Sequence, residues 1–282
     1  MNSANLPEAI LKKLITVIKS ITDVHSMYWI GIRTNEHKTY YYFNDMKNTT
    51  KNKNWEITLL IVSKSYINDP KDFMGKVFTK MKQQVKLFSI HYTLNEIKNR
   101  LTEGDNFLGL VLNENNRIFQ ESPLFLTGYN SHPVMYQRIQ ERWKSRMSKA
   151  EYFNSKLDVS DDDTYSEPAK LLLANQAISQ TCAALLWVYW EYKPPIFDLD
   201  YMIHLCQNFS KSIKIVLPKH SFRSQRVYNL LCHAQYNLNY KSLHHITIED
   251  GYYASDLAFK FLKAVRVEGK KRLTELAKIH KI

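Results

Sequence analysis

The chain has 282 residues, 44% hydrophobic and 23% charged, the make-up of a soluble globular protein and more than one core comfortably holds, so two domains are expected. Its net charge of +12 and pI near 9.4 favour an anionic partner, nucleic acid first and an anionic membrane surface second, against the plainer account of an AT-rich genome that favours Lys and Asn. Only 7 glycines and 3 cysteines, Cys182, Cys206 and Cys232, with no paired spacing, argue against a Gly-rich phosphate cradle, a disulfide framework and a thiolate metal site; the thiols read as reduced core residues of a cytoplasmic protein.

Residues 7–21 form an amphipathic helix, with Ile10, Leu14, Val17, Ile18 and Ile21 as its apolar stripe and Pro7 suited to its first turn. Three strands follow: the apolar run 27–32, a second at 38–44, and after a polar loop at 44–54 the β-branched run 55–62. A long helix is expected over 69–86, a short strand over 87–92, and a helix over 93–103, where Thr93 and Glu96 have capping-box spacing and Gly104 can end it. A short apolar piece, 106–112, and residues 117–120 lead out. This order predicts an α/β unit with a mixed sheet. The turn-rich stretch 122–136, with Pro123, Gly128 and Pro133, marks a join, dividing the chain into domains of residues 1–122 and 123–282.

After the join come a basic helix over 137–157, with Ile139, Trp143, Met147, Ala150 and Phe153 inward, and an acidic loop at 158–163. The basic face, with Arg138, Arg142, Lys144, Arg146 and Lys149, is either a solvated face or a phosphate-binding edge. The central element is 171–192, LLLANQAISQTCAALLWVYWEY. Its first half keeps a polar face of Asn175, Gln176, Ser179 and Gln180; from Ala183 to Trp190 it is apolar all round and must be wrapped by other helices or a partner chain. That apolar stretch is too short to cross a bilayer, which takes about 20 residues. Pro194 and Pro195 stop it. Helices over 198–211, 222–238 and 248–277, the last with a break expected near Gly269, complete a set of five and predict an up-and-down bundle. The fold class is therefore α+β in two domains.

The string NQAISQTCAALLWVYWEYKPPIFDLDYMIHL resembles the signature helix pair of the HEPN superfamily, over roughly residues 147–278. In that family a His-Gln-Ala start, a Tyr-x-Pro-Pro end and a His-Asp-Leu follow one another; here Asn175 and Phe197 stand where its two histidines do. The tail KLFSIHYTLNEIKNRLTEGDNFLGLVLNENNRIFQ and the element order before it resemble a minimal nucleotidyltransferase domain, of the kind found in front of HEPN domains. That family's Gly-Ser turn is replaced by Gly31-Ile32, and its pair of metal-binding aspartates by Glu56 and Thr58. The resemblance therefore implies a nucleotidyltransferase fold without transfer activity, because Mg²⁺ with a triphosphate needs both hard ligands.

With the resemblance, the basic balance and the apolar half of the central helix lead to the expectation of a cytoplasmic bacterial protein that binds nucleotide or RNA as a homodimer, with no cofactor, no resident metal and no membrane partner. Active HEPN ribonucleases carry an Arg and a His separated by four to six residues, as do Arg226 and His233. Seven positions is nearly two helical turns, so the two share a face with Asn229, while Val227, Leu230, Leu231, Ala234 and Leu238 face the core. A metal-independent cleavage would use His233 as the base at a 2′-hydroxyl and Arg226 at the phosphorane. Tyr236 and Tyr240 serve core packing or base stacking, and Lys270 and Lys271 belong to a basic face that could track phosphates. A third reading is a dimeric module for another protein, without nucleic-acid affinity.

Overall fold

The computed structural model describes residues 6–39, 50–124, 133–158, 167–219, 221–240 and 246–281. It is a mixed α+β structure whose contacts group into two units, Met1–Asn130 and Ser131–Ile282.

The first unit is built on a four-stranded mixed sheet in the order β3-β2-β1-β4. Helix α1 (Glu8–Lys19) precedes β1 (Val24–Thr39) and β2 (Thr50–Ser63), which pair antiparallel. Helix α2 (Pro70–Lys80) then crosses to β3 (Val85–Thr93), parallel to β2; α3 (Leu94–Thr102), α4 (Asn106–Val111) and β4 (Arg117–Gln120), antiparallel to β1, follow. The alternate residues Trp55, Ile57, Leu59 and Ile61 join Leu14 and Ile18 of α1 and Phe73, Val77 and Met81 of α2 in one core. Leu60, Val62, Phe88 and Ile90 on the other face are buried as well. Burial on both faces is why β2 reads as an unbroken apolar run, and each such side chain stabilises by about 1.5–3 kcal/mol.

Several sequence boundaries move. The strands expected at 27–32 and 38–44 are one strand as far as Thr39, with residues 40–44 outside the described residues, and β2 takes in residues 50–54 of the expected loop. Helix α2 stops at Lys80 rather than at 86, because Lys82 and Gln83 take left-handed backbone (φ 53° and 60°) and turn the chain into β3. No Gly or Pro announces that turn. The capping box at Thr93 and Glu96 is present, with Thr93 N–H to Glu96 Oε2 at 2.7 Å, and Gly104 follows at φ 87°. Gly31 and Ile32 lie mid-strand opposite Thr58 and Ile57, and Glu56 lies on an inner strand opposite Arg33. The Glu56 charge faces the Arg33 guanidinium, whose pKa burial pushes down while Glu56 pushes it up.

The second unit contains six α-helices among the described residues: α5 (Pro133–Asp158), α6 (Glu167–Trp190), α7 (Leu199–Cys206), α8 (Phe222–Cys232), α9 (Ala234–Tyr240) and α10 (Ile248–Ile279). Helix α6 is the axis, contacted by the other five, with Cys182, Ala183, Ala184, Leu185 and Leu186 fully buried. By length and composition α6 is apolar enough to span a membrane, more so than its apolar half suggests, and most of that stretch is buried inside the unit. It ends before the prolines, at Glu191, which is buried at φ 50°. Its polar face is not a solvent face: Ser179 and Gln180 are buried, and Asn175 and Gln180 bond to neighbouring helices.

On α5, Ile139, Trp143, Met147 and Ala150 are buried as the period predicts, and Phe153 is half-buried. The acidic loop at 159–163 lies outside the described residues. Helix α7 stops at Cys206, short of the expected 211. The break expected at Gly269 does not occur. Helix α10 runs through it, and a Cβ there would stand 2.0 Å from Trp143 Cη2, so the glycine admits the indole rather than a bend.

Candidate nucleic-acid interface

The expected helix over 222–238 is two helices. Ser221 caps α8, accepting from Ser224 N–H at 3.2 Å. Val227 and Leu231, one turn apart, and Ala234 are buried. The chain leaves helical geometry at one residue, His233 (φ −109°, ψ 19°), and resumes as α9.

A helix end leaves its last carbonyls short of intrahelical donors, and here side chains donate to three carbonyls of the last turn. The Asn229 carbonyl accepts His233 N–H at 3.1 Å and the ring Nδ1–H at 2.9 Å. The Leu230 carbonyl accepts Asn237 Nδ2–H at 3.3 Å, and the Leu231 carbonyl accepts Asn175 Nδ2–H at 2.8 Å. Asn175, standing where the resembled family has histidine, thus ties α6 to α8. With Nδ1 carrying the proton, His233 keeps Nε2 as its basic nitrogen.

A groove of about 500 Å³ runs along α8 and α9, lined by Phe222, Gln225, Arg226, Asn229, Leu230, His233, Tyr236 and Asn237. These positions recur at three and four, so one face of the kinked rod supplies them all. Four residues singled out in the sequence, Arg226, Asn229, His233 and Tyr236, are thereby brought together. Tyr236 is 54% exposed and Tyr240 74%, so neither packs in the core; their rings lie 5.2 Å apart, and Tyr240 extends the aromatic surface beyond the groove. Leu230 is half-buried on the groove and Leu238 is exposed, so neither is the core residue that its position predicts.

Lys270 and Lys271 are exposed on α10 and do not line the groove. They lie twenty residues past Asp250, about 30 Å along the helix. His244 and His245 fall outside the described residues. Phe222, 81% exposed at the start of α8, was legible as an aromatic beside a Ser cap but draws no notice without the groove.

Arg226 is committed elsewhere. Its Nε–H lies 3.1 Å from both Asp250 oxygens and its Nη2–H 2.9 Å from Oδ2. Asp250 also completes the capping box of α10, accepting from Thr247 N–H at 3.0 Å. Burial pushes the Asp250 carboxyl up, but the Arg226 and Thr247 hydrogen bonds outweigh it and hold it below its ordinary value. Behind the groove, the Tyr228 hydroxyl donates to Asp200 Oδ1 at 2.8 Å, and burial drives its pKa far up.

No protein-family model matches the chain, and no curated protein matches it significantly.

Proposed function

We propose that the second unit is a HEPN-type helical bundle that binds single-stranded RNA or nucleotide in the α8–α9 groove, as a homodimer in the cytoplasm. The first unit is a nucleotidyltransferase-like domain without transfer activity: Thr58 carries no carboxylate, and Glu56 faces Arg33. One observation carries the binding reading. Two exposed aromatic rings, Phe222 and Tyr236, share a groove with Arg226, Asn229 and His233, and aromatic platforms beside cations hold unpaired bases at about 1–3 kcal/mol per base. Titration of labelled RNA and of ATP across a salt series tests it. The double variant Phe222→Ala/Tyr236→Ala should weaken RNA binding at least about tenfold; undiminished affinity, or no binding even at low salt, overturns the reading.

A second reading, metal-independent cleavage, draws on His233, whose Nε2 is available as a base. The base would take the 2′-hydroxyl proton, the oxygen would attack phosphorus, and the 5′-oxygen would leave, giving a cyclic phosphate and a 5′-hydroxyl end. The Asp250 carboxylate on Arg226 offsets the charge that the phosphorane needs, which favours binding over cleavage. Incubation of RNA in EDTA decides: cleavage by the wild type that His233→Ala abolishes supports the ribonuclease, and equal products, or none, remove it.

A further inference from the structure

Among the described residues Arg100, Arg117, Arg223, Arg226, Arg266 and Arg272 form ion pairs, Arg33 faces Glu56, and Arg138 is also engaged. Arg142 and Arg146 of α5 differ. Neither meets a carboxylate among the described residues. They stand one turn apart, which puts their Cβ atoms about 5–6 Å from each other. Each guanidinium lies against an aromatic ring: Arg142 Cζ is 5.8 Å from the centre of Trp187, and Arg146 Cζ is 5.3 Å from that of Phe197. Arg146 Nη1–H donates to Gln180 Oε1 at 2.8 Å, and Gln180 is 8% exposed.

Two like charges are thus held side by side. Burial, and then the Arg142 charge, push the Arg146 pKa down, so its protonated form is held at a cost. Three side chains aim the pair, and nothing of opposite sign among the described residues answers it. An anion from outside would relieve both the repulsion and the desolvation.

We infer that Arg142 and Arg146 form a clamp for a phosphate monoester, at the 5′ end of an RNA or on a free nucleotide. The charge count selects the monoester: it carries about −1.5 to −2 at pH 7, against a single charge on a phosphodiester, and planar guanidinium forks bind such oxygens in pairs. The clamp draws on α5, α6 and Phe197, none of which lines the α8–α9 groove, so it stands whether or not that groove holds bases.

The test compares short RNAs that differ only in a 5′-phosphate or 5′-hydroxyl, by fluorescence anisotropy at fixed salt, and AMP against adenosine by calorimetry. The 5′-phosphate should be preferred at least about tenfold. Arg142→Gln/Arg146→Gln should erase that preference and Arg146→Lys most of it, since charge without a fork is not enough. Lys144→Gln/Lys149→Gln, which removes the same charge from exposed positions of α5, should keep it, as should the Phe222→Ala/Tyr236→Ala variant. Should the double Arg variant fail to fold by circular dichroism, Arg146→Lys carries the test. AMP binding that the Arg variants lose identifies a nucleotide site, and preference confined to RNA identifies a strand end; either supports the clamp. Equal affinity for the two RNA ends together with no AMP binding, or equal losses from the Arg and Lys doubles, overturns it.

Discussion

The sheet unit and the helical unit solve the same linkage problem by different means. In the first, backbone hydrogen bonds tie one element to the next along the register of β3-β2-β1-β4, and its side-chain bonds are mostly local, with His25 to Ser122 at 3.1 Å, Lys80 to Ser20 at 3.0 Å and Lys64 to Glu121 at 2.7 Å as exceptions. A helix spends its backbone bonds internally, so neighbouring helices must be joined by side chains. In the second unit Asn175 reaches α8, Arg146 reaches Gln180, Ser210 donates to Glu268 at 2.8 Å, and Arg226 holds Asp250. The helical unit therefore rests on particular residues where the sheet unit rests on a pattern.

The sharpest way to break that contrast is at Trp143 and Gly269. Trp143→Ala should cost about 3–5 kcal/mol through the cavity it leaves, read by urea unfolding. Gly269→Ala alone should cost about 1–3 kcal/mol because its methyl meets the indole. The two costs should fall short of adding in the double variant, which removes the clash; strict additivity would show that the two residues do not pack as described.

Acid should part the two units. Burial lowers the His91 pKa to about 3. The unfolded chain then takes up a proton below about 6.5 that the folded ring refuses, so stability falls as pH drops from there toward 3, by as much as about 5 kcal/mol. Hydrogen exchange of β3 should show this loss, and His91→Gln should remove its pH dependence. The Asp250 carboxyl is held low instead, so its contribution is fully present above about pH 4 and is lost only as pH falls through its folded value. Asp250→Asn should destabilise the helical unit by about 1–3 kcal/mol at neutral pH and flatten its acid limb. Exchange that quickens first in α10 on acidification would reverse the comparison.

The smallest effect belongs to the sheet unit. A Cβ at Gly75, inside α2, meets nothing within 4 Å, so Gly75→Ala should stabilise by about 0.5–1 kcal/mol. Thermal melts that place Gly75→Ala and Gly269→Ala on the same side of the wild type would erase the distinction between an idle glycine and a packed one.

Much of this was legible in advance where the physics is local. The β-branched run of β2, the capping box of α3 and the apolar stripes of α1 and α5 follow from periods and caps set by near neighbours in the chain. The α8 face carrying Arg226, Asn229 and His233 was legible for the same reason. The turn at Lys82-Gln83, the stop at Glu191 and the break at His233 were not. Each takes a backbone conformation that its residue type does not advertise.

Residue types, spacing and net charge were enough to say that a basic chain folds as a mixed sheet followed by helices, with Arg226 and His233 on one face. Long-range packing had to supply the rest: that Asp250 claims Arg226, that Asn175 caps a broken helix, that Trp143 fills the space left by Gly269, and that Arg142 and Arg146 meet no acid among the described residues. Periodicity says which face of a helix turns inward; only the approach of a second helix says what that face meets.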